Sequence, residues 1–120
     1  MIELPEKLYH YTCSHGRAAI GDVGTLIPGP DGYVWATDLA WPVTKALGLT
    51  NHILPCDRTE HRYEITAAEG LAGFLPWMAV RNTLPEEMVF ALELAEGAMP
   101  RHWFLSASPA AARHSPINRR

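Results

Sequence analysis

A five-residue segment that begins at Leu8 constrains the fold most, because it alternates in the manner of a β-strand. In an extended strand Leu8, His10 and Thr12 share one face, and Tyr9 and Tyr11 share the other. The two tyrosines are the side chains we expect to be buried. His10 and Thr12 then point together toward a cleft or toward solvent, and two polar groups on one strand face can hold a ligand. The alternative is that His10 is an edge-strand histidine whose ring is hydrogen-bonded to the backbone.

A short helix and a second strand are predicted directly after this segment. Ser14 can cap the helix, which Gly21 and Gly24 weaken and end. Residues 28–32 are dense in proline and glycine and predict a chain reversal. The segment Tyr33–Asp38 is therefore predicted to form the next strand.

The remaining elements predict the fold class. Alternation favours strands at Thr59–Thr66 and Arg101–Ser106, and Pro85 followed by two glutamates is typical of a helix start. The run Met88–Ala95 fits both the helical and the strand period. Because the helical segments are too short for a doubly wound sheet, we expect an α+β domain with a mostly antiparallel sheet.

The length of 120 residues predicts one domain, which we place at residues 1–108. A hydrophobic fraction of 48% and a charged fraction of 19% are those of a globular protein. Residues 109–120 show no buried pattern and are expected to form a mobile C-terminal tail. The net charge of -3 argues against an electrostatic grip on a nucleic-acid backbone.

Neither a membrane span nor an export signal is expected from the sequence. No apolar run approaches the roughly 20 residues that cross a bilayer, and the first residues lack the basic and apolar regions of a signal peptide. We therefore expect a cytoplasmic protein that does not contact a membrane.

Two cysteines and two histidines raise the question of a metal site. Cys13, His15, Cys56 and His61 have spacings that match structural zinc poorly, so we predict free thiols and no metal. A small zinc-binding interaction domain built on these four residues remains an alternative. Three tryptophans, Trp35, Trp77 and Trp103, are predicted to be core residues and not ligand-stacking surfaces.

The first forty residues resemble a known superfamily. The strand from Leu8 to Thr12, the short helix up to Gly24, and the strand Tyr33–Asp38 with a helix after it are similar to the front half of the ADP-ribosyltransferase superfamily. That superfamily includes diphtheria-toxin-like transferases, DarT-type toxins that modify DNA, and RNA 2'-phosphotransferases. The resemblance implies a small split, mostly antiparallel sheet that clasps NAD or an ADP-ribose-like group.

The resemblance also implies roles for particular residues. The first-strand histidine and the threonine two residues later, His10 and Thr12, contact a ribose and the amide of NAD. An aromatic residue near the nicotinamide lies within the second strand, and whether Tyr33 or Trp35 faces the cleft stays open. Glu96 is the nearest candidate for the carboxylate that stabilises the reacting ribose. The implied catalytic pair is Glu96 and His10, and the implied NAD-binding set is His10, Tyr11, Thr12, Tyr33, Trp35, Thr37 and Arg58.

The implied activity is NAD-dependent transfer of ADP-ribose to a protein, a nucleic acid or a nucleobase, with release of nicotinamide. No Gln-x-Glu signature is present, which argues against protein arginine as the acceptor. One alternative is a non-catalytic module of the same fold that binds NAD or ADP-ribose or inhibits a partner. Another is 2'-phosphate transfer from RNA, which would need several cleft arginines, for which Arg17, Arg58 and Arg62 are available.

Overall fold

One antiparallel sheet organises the described part of the chain. A computed structural model describes residues 5–12, 14–21, 23–29, 32–40, 61–66, 71–95 and 97–117, with backbone alone at 14–16, 23, 66 and 72. The strands are β1 (Lys7–Thr12), β2 (Val23–Leu26), β3 (Val34–Thr37), β4 (His61–Thr66), β5 (Phe74–Pro76), β6 (Trp103–Ser106) and β7 (Ala110–His114). The α-helices are α1 (Ser14–Ile20), α2 (Trp77–Val80) and α3 (Glu86–Glu93), and short 3-10 turns occur at Leu71–Gly73, Arg81–Thr83 and Pro100–His102.

The strands lie in the order β2-β7-β4-β1-β3-β6-β5, and each neighbouring pair is antiparallel. This confirms the predicted α+β class with an antiparallel sheet and short helices. Within the described residues, no helix is long and apolar enough to cross a membrane.

The sheet is joined weakly between β1 and β3. These two strands share the single register pair Tyr9 with Thr37, whereas β1 and β4 pair along their whole length from Lys7 to Thr12. The ladder between β1 and β3 does not continue toward Thr12 and Val34. The sheet therefore consists of a first half-sheet, β2-β7-β4-β1, and a second half-sheet, β3-β6-β5, which meet at a seam.

Each face of the sheet carries its own apolar cluster. On the face covered by α1, which we call the α1 face, the buried cluster includes residues of both half-sheets: Leu8, Leu26, Val34, Ala36, Tyr63, Ile65, Leu71, Phe74, Phe104, Ala110 and Ala112. The opposite face, which we call the tryptophan face, packs Trp77, Val80, Val89, Trp103 and Leu105 together. Successive residues of β3 and β6 alternate between the two clusters, as the two-residue period of a strand requires.

The predicted helix α1 and the strand predicted within Tyr33–Asp38, which is β3, are confirmed, whereas β2 was not predicted. Two glycines explain how α1 and β2 fit together. Gly21 ends α1 with a φ of 82°, a left-handed conformation that glycine adopts without a steric penalty. A Cβ atom at Gly24 would lie 2.1 Å from the carbonyl oxygen of Ile20. Strand β2 can therefore pack against the end of α1 only with glycine at that position.

The helix start at Pro85 is confirmed, and the segment that fitted both periods is helical. Helix α3 spans Glu86–Glu93, with Val89 buried against the tryptophan face and Phe90 65% exposed. Trp77 and Trp103 are almost fully buried, as expected for core residues. The short apolar segment before α3 divides at Pro76 into β5 and α2.

The prediction of a mobile tail at residues 109–120 was wrong for its central part. Residues Ala110–His114 form β7, which lies inside the sheet between β2 and β4. Ala110 and Ala112 are buried while Ala111 and Arg113 are exposed. The alternation of a strand is therefore present, but both buried positions carry alanine. Alanine buries too little apolar area to mark a strand in a single sequence.

The expectation for β1 also needs correction. Leu8, on the face of His10, is completely buried among Tyr63 and Ile65, whereas Tyr9 is only half-buried. Tyr11 is buried as expected. Both faces of β1 are therefore covered, and His10 points toward the larger apolar cluster and not toward open solvent.

Candidate functional site

The half-buried side chain of His10 bridges the seam between the half-sheets. Its Nδ1 lies 2.7 Å from the carbonyl oxygen of Trp35 on β3. A carbonyl oxygen can only accept, so Nδ1 carries the proton and donates it. This side-chain bond occurs where the backbone ladder between β1 and β3 has stopped. The ring is thereby fixed across the seam.

The protonation state of His10 follows from its surroundings. Burial lowers the pKa of His10 below its usual 6.5, and the hydrogen bond to the Trp35 carbonyl opposes that shift only in part. The imidazole is therefore neutral at neutral pH. With Nδ1 committed to Trp35, Nε2 is a hydrogen-bond acceptor, which suits a ligand hydroxyl or amide N–H.

Polar side chains continue from His10 across the first half-sheet on the α1 face. Strand register places Tyr63 beside His10 on one side and beside His114 on the other, and it places His61 beside Thr12. The Arg17 guanidinium of α1 donates to the Tyr63 hydroxyl at 3.3 Å, and that hydroxyl donates to the carbonyl of Gly21. The name histidine row is used below for the five side chains that share this face of the first half-sheet: His10, Thr12, His61, Tyr63 and His114.

On the opposite face of the first half-sheet, the side chains of Tyr11 and Arg62 form hydrogen bonds to backbone carbonyls of other segments. The Tyr11 hydroxyl donates to the Leu39 carbonyl at 2.8 Å, and burial raises the pKa of Tyr11 to about 12. The Arg62 guanidinium lies 5.2 Å from the ring centre of Tyr9 and donates to the carbonyls of Ala40, at 2.6 Å, and Ser115, at 3.1 Å. These contacts attach two crossing segments to the sheet.

The aromatic residues predicted near the nicotinamide lie on the tryptophan face. The Trp35 ring packs 5.6 Å from Trp77 and 6.0 Å from Trp103, measured between ring centres. The Tyr33 hydroxyl lies 3.1 Å from the hydroxyl of Thr83. The Thr37 hydroxyl accepts from the Leu39 backbone N–H at 3.1 Å and so closes the bend that follows β3.

The structure therefore divides the predicted site residues between two faces. His10 and Thr12 share the α1 face, as predicted, and the histidine row surrounds them. The other described members project to the opposite face: Tyr11, Tyr33, Trp35 and Thr37. His10 therefore contacts the backbone carbonyl of Trp35 and not the Trp35 ring. Glu96 and Arg58 lie outside the described residues.

Two side-chain pairs that each contain a histidine were not predicted from the sequence. His102 Nδ1 lies 2.6 Å from an Asp38 carboxylate oxygen, and the Nε of Arg101 donates to His102 Nε2 at 3.2 Å. His61 Nδ1 lies 3.3 Å from His114 Nε2. The partners are 64 and 53 residues apart, and such separations leave no local pattern to detect.

The zinc-binding alternative is not assembled by the described residues. Cys13 and Cys56 lie outside them, as does the side chain of His15, and His61 pairs with His114 instead. Across the part of the chain that the structure describes, no group of three or more histidine, cysteine, aspartate or glutamate side chains converges as a metal site.

Comparison with known proteins does not assign the chain to a family. No protein-family model, no curated protein and no solved structure matches it. Over the residues that it describes, the structure shows a small α+β domain with a seven-stranded antiparallel sheet.

Proposed function

We propose that this protein is an NAD-dependent ADP-ribosyltransferase that transfers ADP-ribose to a macromolecular or nucleobase acceptor and releases nicotinamide. The observation that carries the proposal is the seam. A histidine on the first strand lies where the two half-sheets part, which is consistent with the split sheet that the superfamily resemblance implies.

The hydrogen bonding of His10 supports a role in binding and not in proton transfer. Its Nε2 is an acceptor held in a fixed direction by the Nδ1 bond to Trp35. Ribose hydroxyls and the nicotinamide amide both present donors that fit such an acceptor. Fixing the ligand before reaction lowers the entropic part of the barrier. Thr12, two residues along the same face, would add a second polar contact.

The proposed chemistry places positive charge on the ribose. When the bond between nicotinamide and ribose breaks, nicotinamide leaves as a neutral molecule with the bonding electrons and the sugar carbon becomes cationic. A carboxylate beside that carbon stabilises the charge, and we assign this role to Glu96. The acceptor then adds to the carbon and loses its proton to solvent.

The structure gives less support to RNA 2'-phosphate transfer, one of the two alternatives that share this fold. RNA 2'-phosphate transfer needs cleft arginines, but the Arg62 side chain lies on the face opposite His10 and is bonded to backbone carbonyls. Arg17 contacts the Tyr63 hydroxyl. A measurement of nicotinamide release distinguishes a non-catalytic NAD-binding module from the enzyme.

The test begins with NAD binding. We expect His10→Ala to weaken the binding of NAD and ADP-ribose about 5- to 150-fold, which corresponds to the roughly 1–3 kcal/mol lost with a buried hydrogen bond. Titration calorimetry on the folded variant measures this. His102→Ala is the matched control, because it removes a half-buried, hydrogen-bonded imidazole at the start of β6. Unchanged NAD affinity in His10→Ala, or no NAD binding by the native chain, contradicts the proposal.

Turnover is tested separately through nicotinamide release. If Glu96 stabilises the transition state alone, Glu96→Gln lowers kcat by roughly 10²–10³ with little change in KM for NAD. Full activity in Glu96→Gln shows that another carboxylate acts. NAD binding without any nicotinamide release by the native chain supports the non-catalytic module instead.

A further inference from the structure

His61 and His114 form a pair within the histidine row, and the proposed function uses neither of them. His61 begins β4, and His114 ends β7 on the neighbouring strand. The Nδ1 of His61 and the Nε2 of His114 face each other at 3.3 Å, with ring centres 5.3 Å apart and ring planes 54° apart. Both side chains are half-buried.

The backbone next to both histidines is held firmly. The residues that follow them, Arg62 and Ser115, exchange several hydrogen bonds: Ser115 N–H donates to the Arg62 carbonyl at 2.8 Å, and Arg62 Nε donates to the Ser115 carbonyl at 3.1 Å. The Arg62 Nη2 also donates to the Ser115 hydroxyl at 3.0 Å. The two imidazoles are therefore presented by strands whose separation is fixed, which lowers the cost of binding an ion between them.

The nitrogen separation matches the spacing of two ligands on a tetrahedral ion. Imidazole nitrogens bind zinc at about 2.0–2.1 Å, so two of them at tetrahedral positions lie about 3.3 Å apart. Adjacent ligands of an octahedral or square-planar ion at the same bond length would lie only about 2.9 Å apart. The observed 3.3 Å therefore fits two adjacent ligands of a tetrahedral ion, and Zn²⁺ is an imidazole-binding ion of that geometry.

We propose that His61 and His114 form a two-histidine Zn²⁺ site that clips β7 to β4 on the α1 face. The two imidazoles supply two of the four positions around a tetrahedral ion, and among the described residues no third metal-binding side chain converges there. In the metal-free pair one imidazole donates its proton to the other. Zinc binding requires that this proton sit on the other nitrogen of the donating ring, which is a change of tautomer and not of charge.

The experiment titrates Zn²⁺ into the metal-free chain against a chromophoric chelator. We expect one equivalent to bind and the thermal unfolding temperature to rise, because an ion that binds only the folded state stabilises it. Co²⁺ in the same site should give the visible absorption of a tetrahedral complex. His61→Gln and His114→Gln should each lower zinc affinity by more than about 10-fold, since even outer contacts of a metal ligand are worth about 10–100-fold.

Three controls keep the outcome decisive. His102→Gln removes an imidazole outside the pair and should bind zinc as the native chain does. The double variant Cys13→Ser with Cys56→Ser should also keep the ion, and loss of zinc in that variant would transfer the site to the cysteines and overturn the proposal. Circular dichroism without metal shows that the glutamine variants fold. No zinc binding at 100-fold molar excess, or unchanged affinity in His114→Gln, refutes the site.

Discussion

At the scale of single residues, the polar side chains with the most contacts serve structure as often as a site. Glu93, the last residue of α3, accepts hydrogen bonds from Trp77 Nε1 at 2.6 Å and from two Arg81 nitrogens, Nε at 2.8 Å and Nη2 at 2.7 Å. The carboxylate thus joins α3 to α2 and satisfies the indole N–H of a tryptophan that is 1% exposed. His10 differs, because its hydrogen bond to the Trp35 carbonyl crosses the seam and leaves Nε2 as an acceptor.

The contribution of Glu93 to stability should depend on pH. Hydrogen bonds from Arg81, then from Trp77, lower the pKa of Glu93 from its usual 4.5. The folded state therefore holds the proton less tightly than the unfolded state, so the stabilisation is complete above pH 4.5 and is lost as the pH falls through the lowered value. We expect Glu93→Gln to lower the urea midpoint at pH 7 and to lower it less at a second pH well below 4.5. Glu87→Gln, on the exposed first turn of α3, is the control, and an equal deficit at both pH values would contradict the assignment.

At the scale of elements, β7 shows how a strand without large side chains can be essential to a sheet. It pairs with β2 along Val23–Leu26 and with β4 at Tyr63 and Glu64. Its inward residues belong to the α1-face cluster, where Ala112 is 0% exposed alongside Leu26 and Ile65. The alanine side chains of β7 leave space that the large side chains of the same cluster fill. Because protein interiors are packed as densely as crystals, a larger side chain on β7 would not fit without displacing its neighbours.

The alternation of β7 predicts opposite outcomes for two adjacent substitutions. Ala112→Leu inserts a large side chain into the buried cluster and should cost about 1–3 kcal/mol. Ala111→Leu, one residue earlier on the exposed face, should change the unfolding free energy by no more than about 0.5 kcal/mol. Urea unfolding of both variants measures the difference. Equal losses would show that β7 does not pack as described.

At the scale of the whole molecule, the two half-sheets are joined by packing more than by backbone bonds. The seam has one register pair, but the α1-face cluster unites Leu8 and Ile65 of the first half-sheet with Ala36 and Phe104 of the second. A shared apolar core couples the stability of the elements that contribute to it. We therefore expect the half-sheets to unfold together despite the seam.

This coupling can be tested with two probes. Trp35, Trp77 and Trp103 all lie on or beside the second half-sheet, so in a Trp41→Phe background tryptophan fluorescence reports on that half. Far-UV circular dichroism reports on the whole sheet. Urea transitions followed by the two probes should coincide in midpoint and slope. A fluorescence midpoint that differs from the dichroism midpoint would mean that the seam separates two independently unfolding units.

The sequence by itself determined the elements whose patterns are local. The alternation around His10, the glycine that ends α1, the alternation predicted over Thr59–Thr66 and the proline before α3 all act within a few residues. In the described residues each of these elements is present, with β4 at His61–Thr66. The pairing of His10 and Thr12 on one strand face followed from the two-residue period alone.

Only the tertiary structure decided what those faces meet. Whether Leu8 or Tyr9 is the more buried depends on which cluster forms over each face, and β7 is a strand because two partners flank it. The separation of His10 from the rings of Tyr33 and Trp35, the Asp38–His102 contact and the His61–His114 pair all arise from strand register between distant segments. A register that joins residues more than fifty positions apart is set by the packing of the whole sheet, so no local stretch of sequence carries it.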